Sequence, residues 1–564
     1  MSTESETTMS QAFDFDTIVI GSGAGGLTAA LCLARGGQKV LVLEQHYLPG
    51  GWCHSFSLDG FQFSPGVHYI GQLQEGGMMR KLYEGLGVAD DLVFLELNPD
   101  GFDRVRIGDQ RFDYPAGFER FQDRLCERFP LESQGIQGFL NTTRKLGAEI
   151  EEEIQMRSVL DFLALPWKIP TVLRFGFRSL NSVMNHFGLK DPVLRTVLAS
   201  QSGDHGLGPK QAPFAMHAGV MNHYFEGGWY PKGGAKSLPK ALIQQFRKLG
   251  GEIRVKTPVA KILVEGHGSG RKAIGVRLQD GTELRARQIL SNADPEMTFR
   301  RLVGEEHLSG RLRRRLRKTR YSLTAVSLFL AVDMDLKKAG LDSGNLWYHA
   351  GPDIQSEYAY GEMGSPLDQP VPGLFLTATT LKDPSKRKDG LHTLEAFTWT
   401  SWDAFKAWQG TEHGRRPPEY QAFKDALSSR ILERLDQLVP GLASNVVFQA
   451  LGTPLTNQHY VAAHRGNLYG IEKSRFQMGP FAYDVKTEIP GLFLCGASTL
   501  GHGVAGASIS GVAAACRILR CRHRDLLTGS GTLTTLPADH PELWPSAYQP
   551  EQNSKRPSPI GAVK

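Results

Sequence analysis

Residues 16–20 read Asp16-Thr17-Ile18-Val19-Ile20, an apolar run that predicts a buried strand and leads directly into a glycine loop. Beyond the loop the apolar spacing predicts a helix over 27–35, stopped by Gly36-Gly37, and residues 39–43 read as a second strand. Strand, helix, strand is the opening of a parallel sheet. From residue 92 to about 222 the pattern lengthens into amphipathic, helix-like segments punctuated by prolines, as in Leu165-Pro166-Trp167 and Ile169-Pro170. Over 252–291 period-two alternation takes over. Two runs meet at His267-Gly268-Ser269-Gly270, a turn follows at Gln279-Asp280-Gly281-Thr282, and 286–290 reads as a strand returning to the main sheet, so a β-meander is expected. A mixed region extends to about 483, after which 491–519 again reads as strand, glycine loop and helix.

The first loop carries chemistry. Gly21-Ser22-Gly23-Ala24-Gly25-Gly26 is a GxGxxG fingerprint with a strand before it and a helix after it, the context that makes the pattern informative. Gly21 permits the tight turn, Gly23 lets backbone approach a pyrophosphate, and Gly26 lets helix pack on strand. The helix N-terminus at Ala24 turns unpaired N–H groups and the positive end of the dipole towards the phosphates. Glu44, ending the second strand, falls where a carboxylate accepts from the adenosine ribose, and its charge disfavours a 2′-phosphate. Gly50 and Gly51, in Pro49-Gly50-Gly51, suggest chain running back along an extended, buried dinucleotide, for which the alternative is a plain turn. The C-terminal stretch through Gly496 and Gly501-His502-Gly503-Val504-Ala505-Gly506 resembles a second fingerprint, yet no strand and acidic residue follow it. It reads better as backbone delivered to the far end of the same cofactor, with Val504 and Ala505 opening a helix whose dipole faces a flavin. The cofactor expected is FAD. The fold class is α/β: a Rossmann-like FAD domain assembled from residues 14–91, 223–300 and 484–522, with a mixed α+β substrate domain from 92–222 and 301–483. The head (1–13) and the Pro, Ser, Gln and Lys-biased tail (537–564) are expected to be disordered.

Composition removes other classes. The 64 basic and 58 acidic residues leave a net charge of +6, too diffuse for nucleic acid as a partner. Six scattered cysteines offer no metal-ligand spacing, no HExxH occurs, and no GxSxG stands between strand and helix, so no metal site is expected. Cys495 reads as a structural thiol. The head has neither a basic nor an apolar stretch of signal-peptide type, and the richest apolar stretch, 159–183, is broken by Asp161, Lys168, Arg174 and Arg178. A cytoplasmic, unsecreted protein with peripheral membrane contact is expected. Two segments offer that contact: 163–177, mixing Leu, Trp and Phe with cations, and the basic run 311–318, where Leu312 and Leu316 share a helix face. The alternatives are a helix covering the substrate tunnel for the first and a solvated surface helix for the second.

At this point a resemblance becomes specific. The fingerprint, Leu48-Pro49-Gly50-Gly51-Trp52-Cys53-His54-Ser55-Phe56, Gly66-Val67-His68-Tyr69-Ile70-Gly71, Asn222-His223-Tyr224, and 227–234 (Gly-Gly-Trp-Tyr-Pro-Lys-Gly-Gly) resemble the retinol saturases and carotenoid isomerases of the phytoene desaturase superfamily. The resemblance implies an FAD domain of glutathione-reductase type and a hydrophobic lipid substrate, a long polyene or isoprenoid, whose C=C bonds are saturated. Redox-neutral cis-trans isomerisation and desaturation are the alternatives within the class. It also implies that Val259 touches the adenine through its backbone and that Gly233-Gly234 lie near the meeting of cofactor and substrate. Saturation needs a hydride, which a reduced flavin supplies, and a proton; the candidate donors are Tyr69, His68 and His223, with Tyr224 and His502 behind them. With no second nucleotide site in view, a separate electron donor or acceptor is expected. A prenyl-lipid carrier of related fold is the non-enzymatic alternative, against which the intact glycines and Glu44 argue.

Overall fold

The computed structural model describes residues 13–153, 168–363 and 365–550. Its first sheet is built on Phe15–Ile20, which pairs in parallel with Val40–Leu43 on one side and Glu283–Ser291 on the other. Glu252–Arg254 extends it beyond Val40–Leu43, and Leu492–Leu494 lies parallel to the end of Glu283–Ser291. The meander Val259–Glu265, Lys272–Leu278, Glu283–Ser291 is antiparallel, as the alternation predicted. All four residues of Val40–Leu43 are buried, as expected of a parallel strand covered on both faces. The helices Ala24–Arg35 and Gly503–Leu519 cover one face and touch backbone to backbone: a Cβ on Gly511 would lie 2.3 Å from Gly25 O.

A second seven-stranded sheet runs Val446–Gly452, Thr324–Val332, His392–Thr400, Gly373–Thr377, Asn345–His349, Asp103–Ile107, Gln110–Tyr114. Its last two strands correct the helical reading of 92–222, as does Val93–Glu96 in a third, three-stranded sheet. In Asp103-Arg104-Val105-Arg106-Ile107 buried and half-exposed residues alternate, and the side chains facing the core are Asp103, Val105 and Ile107. A charged residue facing inward hides the strand period from a count of apolar positions. Helices Phe118–Arg128, Ser133–Glu153, Leu180–His186 and Phe214–Tyr224 form the remaining wall of this region.

The tail also departs from expectation. Thr534–Pro537 pairs in parallel with Val93–Glu96, and Trp544, 2% exposed, donates its indole N–H to Pro537 O at 2.6 Å. Disorder is therefore not a property of 537–550: one buried Trp and a short strand secure a segment whose average composition is polar. Residues 551–564 of that tail, and 1–12 of the head, lie outside the described residues. Among the described residues no helix is long and apolar enough to cross a membrane.

Candidate functional site

A cavity of about 570 Å³ joins the two sheets, a size within the range of cofactor and substrate sites. At one end it is lined by Gly21, Ser22, Gly23, Ala24, Glu44 and Val259. Gly496, Val504 and Ala505 line it as well, as do Trp347, Phe375 and Phe397 of the second sheet region.

The glycine loop is held by a small network. Ser22 N–H and Oγ–H both donate to Glu44 Oε2, at 2.9 and 2.6 Å, while Ser22 Oγ accepts from Gly50 N–H at 3.0 Å. His46 N–H donates to Glu44 Oε1 at 2.9 Å. A carboxylate offers about four acceptor sites, so this one retains capacity towards the cavity. Gly50 and Gly51 both adopt positive φ, at 121° and 54°, and a Cβ on Gly51 would come within 3.1 Å of Gly23 Cα. Gly51 lines the cavity; Gly50 stands behind it, tied to Ser22.

The same positions form a cradle for a dinucleotide. A Cβ on Gly26 would lie 2.2 Å from Gly21 O, and one on Gly25 would lie 2.8 Å from Ala507 O and 2.9 Å from Gly496 Cα. No side chain caps the helix Ala24–Arg35, and its first turn holds no acid. The helix Gly503–Leu519 begins the same way. Two uncapped helix N-termini thus open on one cavity, offering backbone N–H groups and positive dipole to an anionic ligand. Asn292, which belongs to no motif, lies under both loops: its amide is the nearest group to Gly23 and Gly496, and Cys495 Sγ contacts its Oδ1 at 3.5 Å. Burial raises Cys495, which is therefore an inert thiol.

The expected proton donors fare differently. His223 Nε2 accepts the Gly71 N–H at 2.9 Å, and burial lowers the ring to about 4. It lines the cavity, but as an acceptor that holds the Gly71 turn and favours the neutral ring, which argues against it as the donor. His502 is likewise lowered to about 4 by burial, and its Nε2–H donates to Asp204 O at 2.8 Å. His68 Nδ1 lies 3.2 Å from Glu395 Oε2 and its ring packs on Phe375 and Phe397. Tyr69 stacks on Tyr224 with ring centres 4.3 Å apart, and its hydroxyl meets Asp103 and Asp204. Burial first, then the two carboxyls, raises Tyr69 well above its usual range. Behind it stands Lys382, fully buried and lowered to about 7 by desolvation, donating to His68 O at 2.7 Å and Asn345 Oδ1 at 2.5 Å. Asp103, Asp204, Asn345 and Lys382 carry no motif, and only tertiary structure assembles them. Gly233 and Gly234 are not in the cavity wall; they turn the chain from Trp229–Pro231 into Ser237–Lys248, with Gly233 N–H bound to Asp383 at 2.6 Å.

Cradle, paired helix N-termini and a buried carboxylate at the end of a parallel strand fit a flavoprotein oxidoreductase that binds FAD. The sequence profile of the flavin-containing amine oxidoreductases matches residues 24–519. The all-trans-retinol 13,14-reductase of Danio rerio is 30% identical over 519 residues, 88% of this chain and 84% of that protein. The chloroplastic prolycopene isomerase of Arabidopsis thaliana is 29% identical over 526 residues, 89% of this chain and 82% of that protein. Wild-type putrescine oxidase, at 15% identity, superposes with a TM-score of 0.58 over 90% of this chain and 99% of its own, a likeness of fold. The chain belongs to the flavin-containing amine oxidoreductase family, in the group that holds the all-trans-retinol 13,14-reductases and prolycopene isomerases.

Proposed function

We propose that this enzyme saturates a C=C bond of a long apolar polyene or isoprenoid lipid. The observation that carries the reading is the continuity of the cavity from the dinucleotide cradle to an aromatic wall of Trp347, Phe375 and Phe397. A conjugated chain lying there buries apolar surface worth about 0.8 kcal/mol per CH₂. The Danio rerio and human relatives, named for reduction of all-trans-retinol, support the direction of the reaction.

In this reading Gly21, Gly23, Ala24 and Gly26 form the pyrophosphate turn, with Gly50 and Gly51 returning over it, Glu44 takes the ribose and Val259 the adenine. Gly496, Val504 and Ala505 take the flavin end. Residues 14–91, 223–300 and 484–522 supply the cofactor half and 92–222 with 301–483 the substrate half. Reduced FAD, when bound, supplies the hydride; electrons reach it from a separate donor. The chain's own residues orient the polyene between aromatic rings, exclude water and deliver the proton.

Redox-neutral isomerisation is the second reading, favoured by the prolycopene isomerases at 28–29% identity. Anaerobic incubation of reduced enzyme with a polyene, followed by absorbance and mass, separates the two. A blue shift with a gain of two hydrogens supports saturation; a changed isomer at constant mass refutes it in favour of isomerisation.

Substrate entry from a lipid surface completes the proposal. Phe476, Phe481 and Leu173 are 73%, 53% and 51% exposed, with Arg174, Arg475 and Arg315 exposed beside them. Phe177 and Phe481 rings lie 6.5 Å apart, and Arg315 donates to Phe481 O at 2.7 Å, which joins these segments into one surface. This arrangement of apolar tips among cations suits an anionic interface. Within 163–177, Phe175 is buried and faces inward, whereas 163–167, with Trp167, lies outside the described residues. On the helix Gly310–Lys318, Leu312 and Leu316 are buried against the domain and the arginines face outward.

A further inference from the structure

One hydroxyl stands between two carboxyl groups. Tyr69 Oη is 3.0 Å from Asp103 Oδ2 and 2.9 Å from Asp204 Oδ2, and a phenol has a single proton to donate. It donates to one carboxylate. The other contact is a hydrogen bond only if that carboxyl is itself protonated and donates to the phenolic oxygen.

The partners further out decide which carboxyl that is. The Lys382 ammonium only donates, so its bond to Asn345 Oδ1 fixes the amide with Nδ2 towards Asp103 Oδ1, 2.9 Å away. Gln201 Nε2 donates to Asp103 Oδ2 at 3.2 Å. Amide N–H groups on both oxygens, with Lys382 nearby, favour Asp103 over Asp204 as the carboxylate of the pair. Complete burial still leaves Asp103 above the usual carboxylate range, but these donors and Lys382 pull it part of the way back. Among the described residues Asp204 has no comparable set of donors: Tyr69 is the group that meets its carboxyl, and burial, then the charge of Asp103, pushes it well above the carboxylate range. Of the pair, only Asp204 lines the cavity.

Asp204 is also held in place from three sides. Tyr469 Oη–H donates to Gly203 O at 2.8 Å, and His502 donates to Asp204 O at 2.8 Å, one residue before the helix Gly503–Leu519. Ser200, opening the same turn, is 2.8 Å from His349 Nε2, whose Nδ1 is 2.6 Å from Glu357 Oε1. That is the order of a hydrolase triad, but the space beside it is about 10 Å³, room for one water at most, and Ser200 is buried. The group therefore anchors the turn.

We propose that Asp204 is the acid that protonates the substrate carbon next to the one receiving hydride, and that Tyr69 and Asp103 keep it protonated between turnovers. This rests on the saturation reading above. The π bond opens, one C–H bond forms with hydride from FAD that an external two-electron donor has reduced, and the other forms as the Asp204 O–H bond breaks. The new carboxylate faces Asp103 across one phenol, and like-charge repulsion draws a proton back from solvent.

The first test needs no turnover. Infrared spectra of the holoenzyme should contain a protonated carboxyl C=O band at neutral pH that Asp204→Asn removes and Asp204→Glu keeps. The groups facing Asp204 are Tyr69, Asp103, Tyr114, Tyr224, Tyr358, Tyr469 and His502. Of these Asp103 is the anion, so Asp103→Asn should move the loss of the band to lower pH. In turnover Asp204→Asn should lose about 100-fold or more in kcat with KM and flavin content unchanged, and Asp204→Glu should recover part of it. A band absent from the wild type, or one surviving in Asp204→Asn, overturns the proposal; so does Asp204→Asn turnover within a few-fold of wild type. If the wild type itself saturates no polyene, the functional reading fails, while the band still decides the protonation state.

Discussion

Replacing Gly26 by alanine adds one methyl group where the structure has no room for it. The new Cβ would lie 2.2 Å from Gly21 O and 3.1 Å from Asn292 Cβ. Carbon and oxygen in ordinary contact stand more than an ångström further apart, so the helix Ala24–Arg35 must move off the loop. It cannot move freely, because Gly25 already lies against Ala507 O and Gly496 Cα on the opposite side. Overpacking of this kind costs about 1–3 kcal/mol, which converts to roughly a 5- to 150-fold loss in affinity if it falls on the cofactor-binding form. The assay is titration of the apo-protein with FAD, read by flavin fluorescence quenching, beside the melting temperature of the apo-form. Gly310→Ala is the control, since nothing stands within 4 Å of its Cβ and its φ is unstrained; it should leave affinity unchanged. Wild-type affinity and melting temperature in Gly26→Ala would refute the close-packed cradle.

Gly23→Val should purify without flavin absorbance, because the side chain both displaces the Asn292 amide, 2.7 Å from the added Cβ, and enters the cavity; a yellow variant of normal stoichiometry would contradict this. Ser22→Ala removes a donor to Glu44 and the acceptor of Gly50 N–H, and should weaken FAD binding by about 1.5–3 kcal/mol, read by the same titration. Burial lowers Lys473 from 10.5 to about 7, so between those values the unfolded chain binds more protons and folding stability rises with pH, by at most about 1.4 kcal/mol per unit for this group. Lys473→Met should therefore be stabilised most below pH 7 and lose that advantage towards pH 10, and a pH-independent difference in denaturant midpoints would count against it. Phe476→Ser with Phe481→Ser should reduce co-sedimentation with anionic vesicles at low salt; a wild type that binds no such vesicle would remove the interfacial proposal.

The first sheet and its Rossmann-like opening were legible because their signals are local. An apolar run, three glycines at fixed spacing and a terminal Glu44 lie within 30 residues and need no distant partner to be read. The second sheet was not: Asp103–Ile107 pairs locally with Gln110–Tyr114, but it faces a charge inward, which hides its period, and its other partner, Asn345–His349, is 242 residues away. The same holds for the chemistry. Tyr69 stood out through its motif, whereas Asp204 and Lys382 acquire meaning only when folding brings them to one phenol and one amide. His223 had the residue type of a proton donor, but it accepts a backbone N–H at 2.9 Å and burial lowers its ring, which favours the neutral acceptor. Polar composition misled at the tail, where a short strand and the buried Trp544 supply an anchor that an average conceals.

The central claim is that a polyene in the cavity accepts a hydride from the bound cofactor, and single-turnover kinetics tests it most directly. Anaerobically reduced holoenzyme is mixed with one equivalent of polyene, and the flavin and polyene bands are followed together. Saturation predicts that oxidised flavin absorbance returns as polyene absorbance disappears, with one rate and a one-to-one amplitude. Flavin that stays reduced while the polyene binds, or changes isomer at constant mass, would contradict the account.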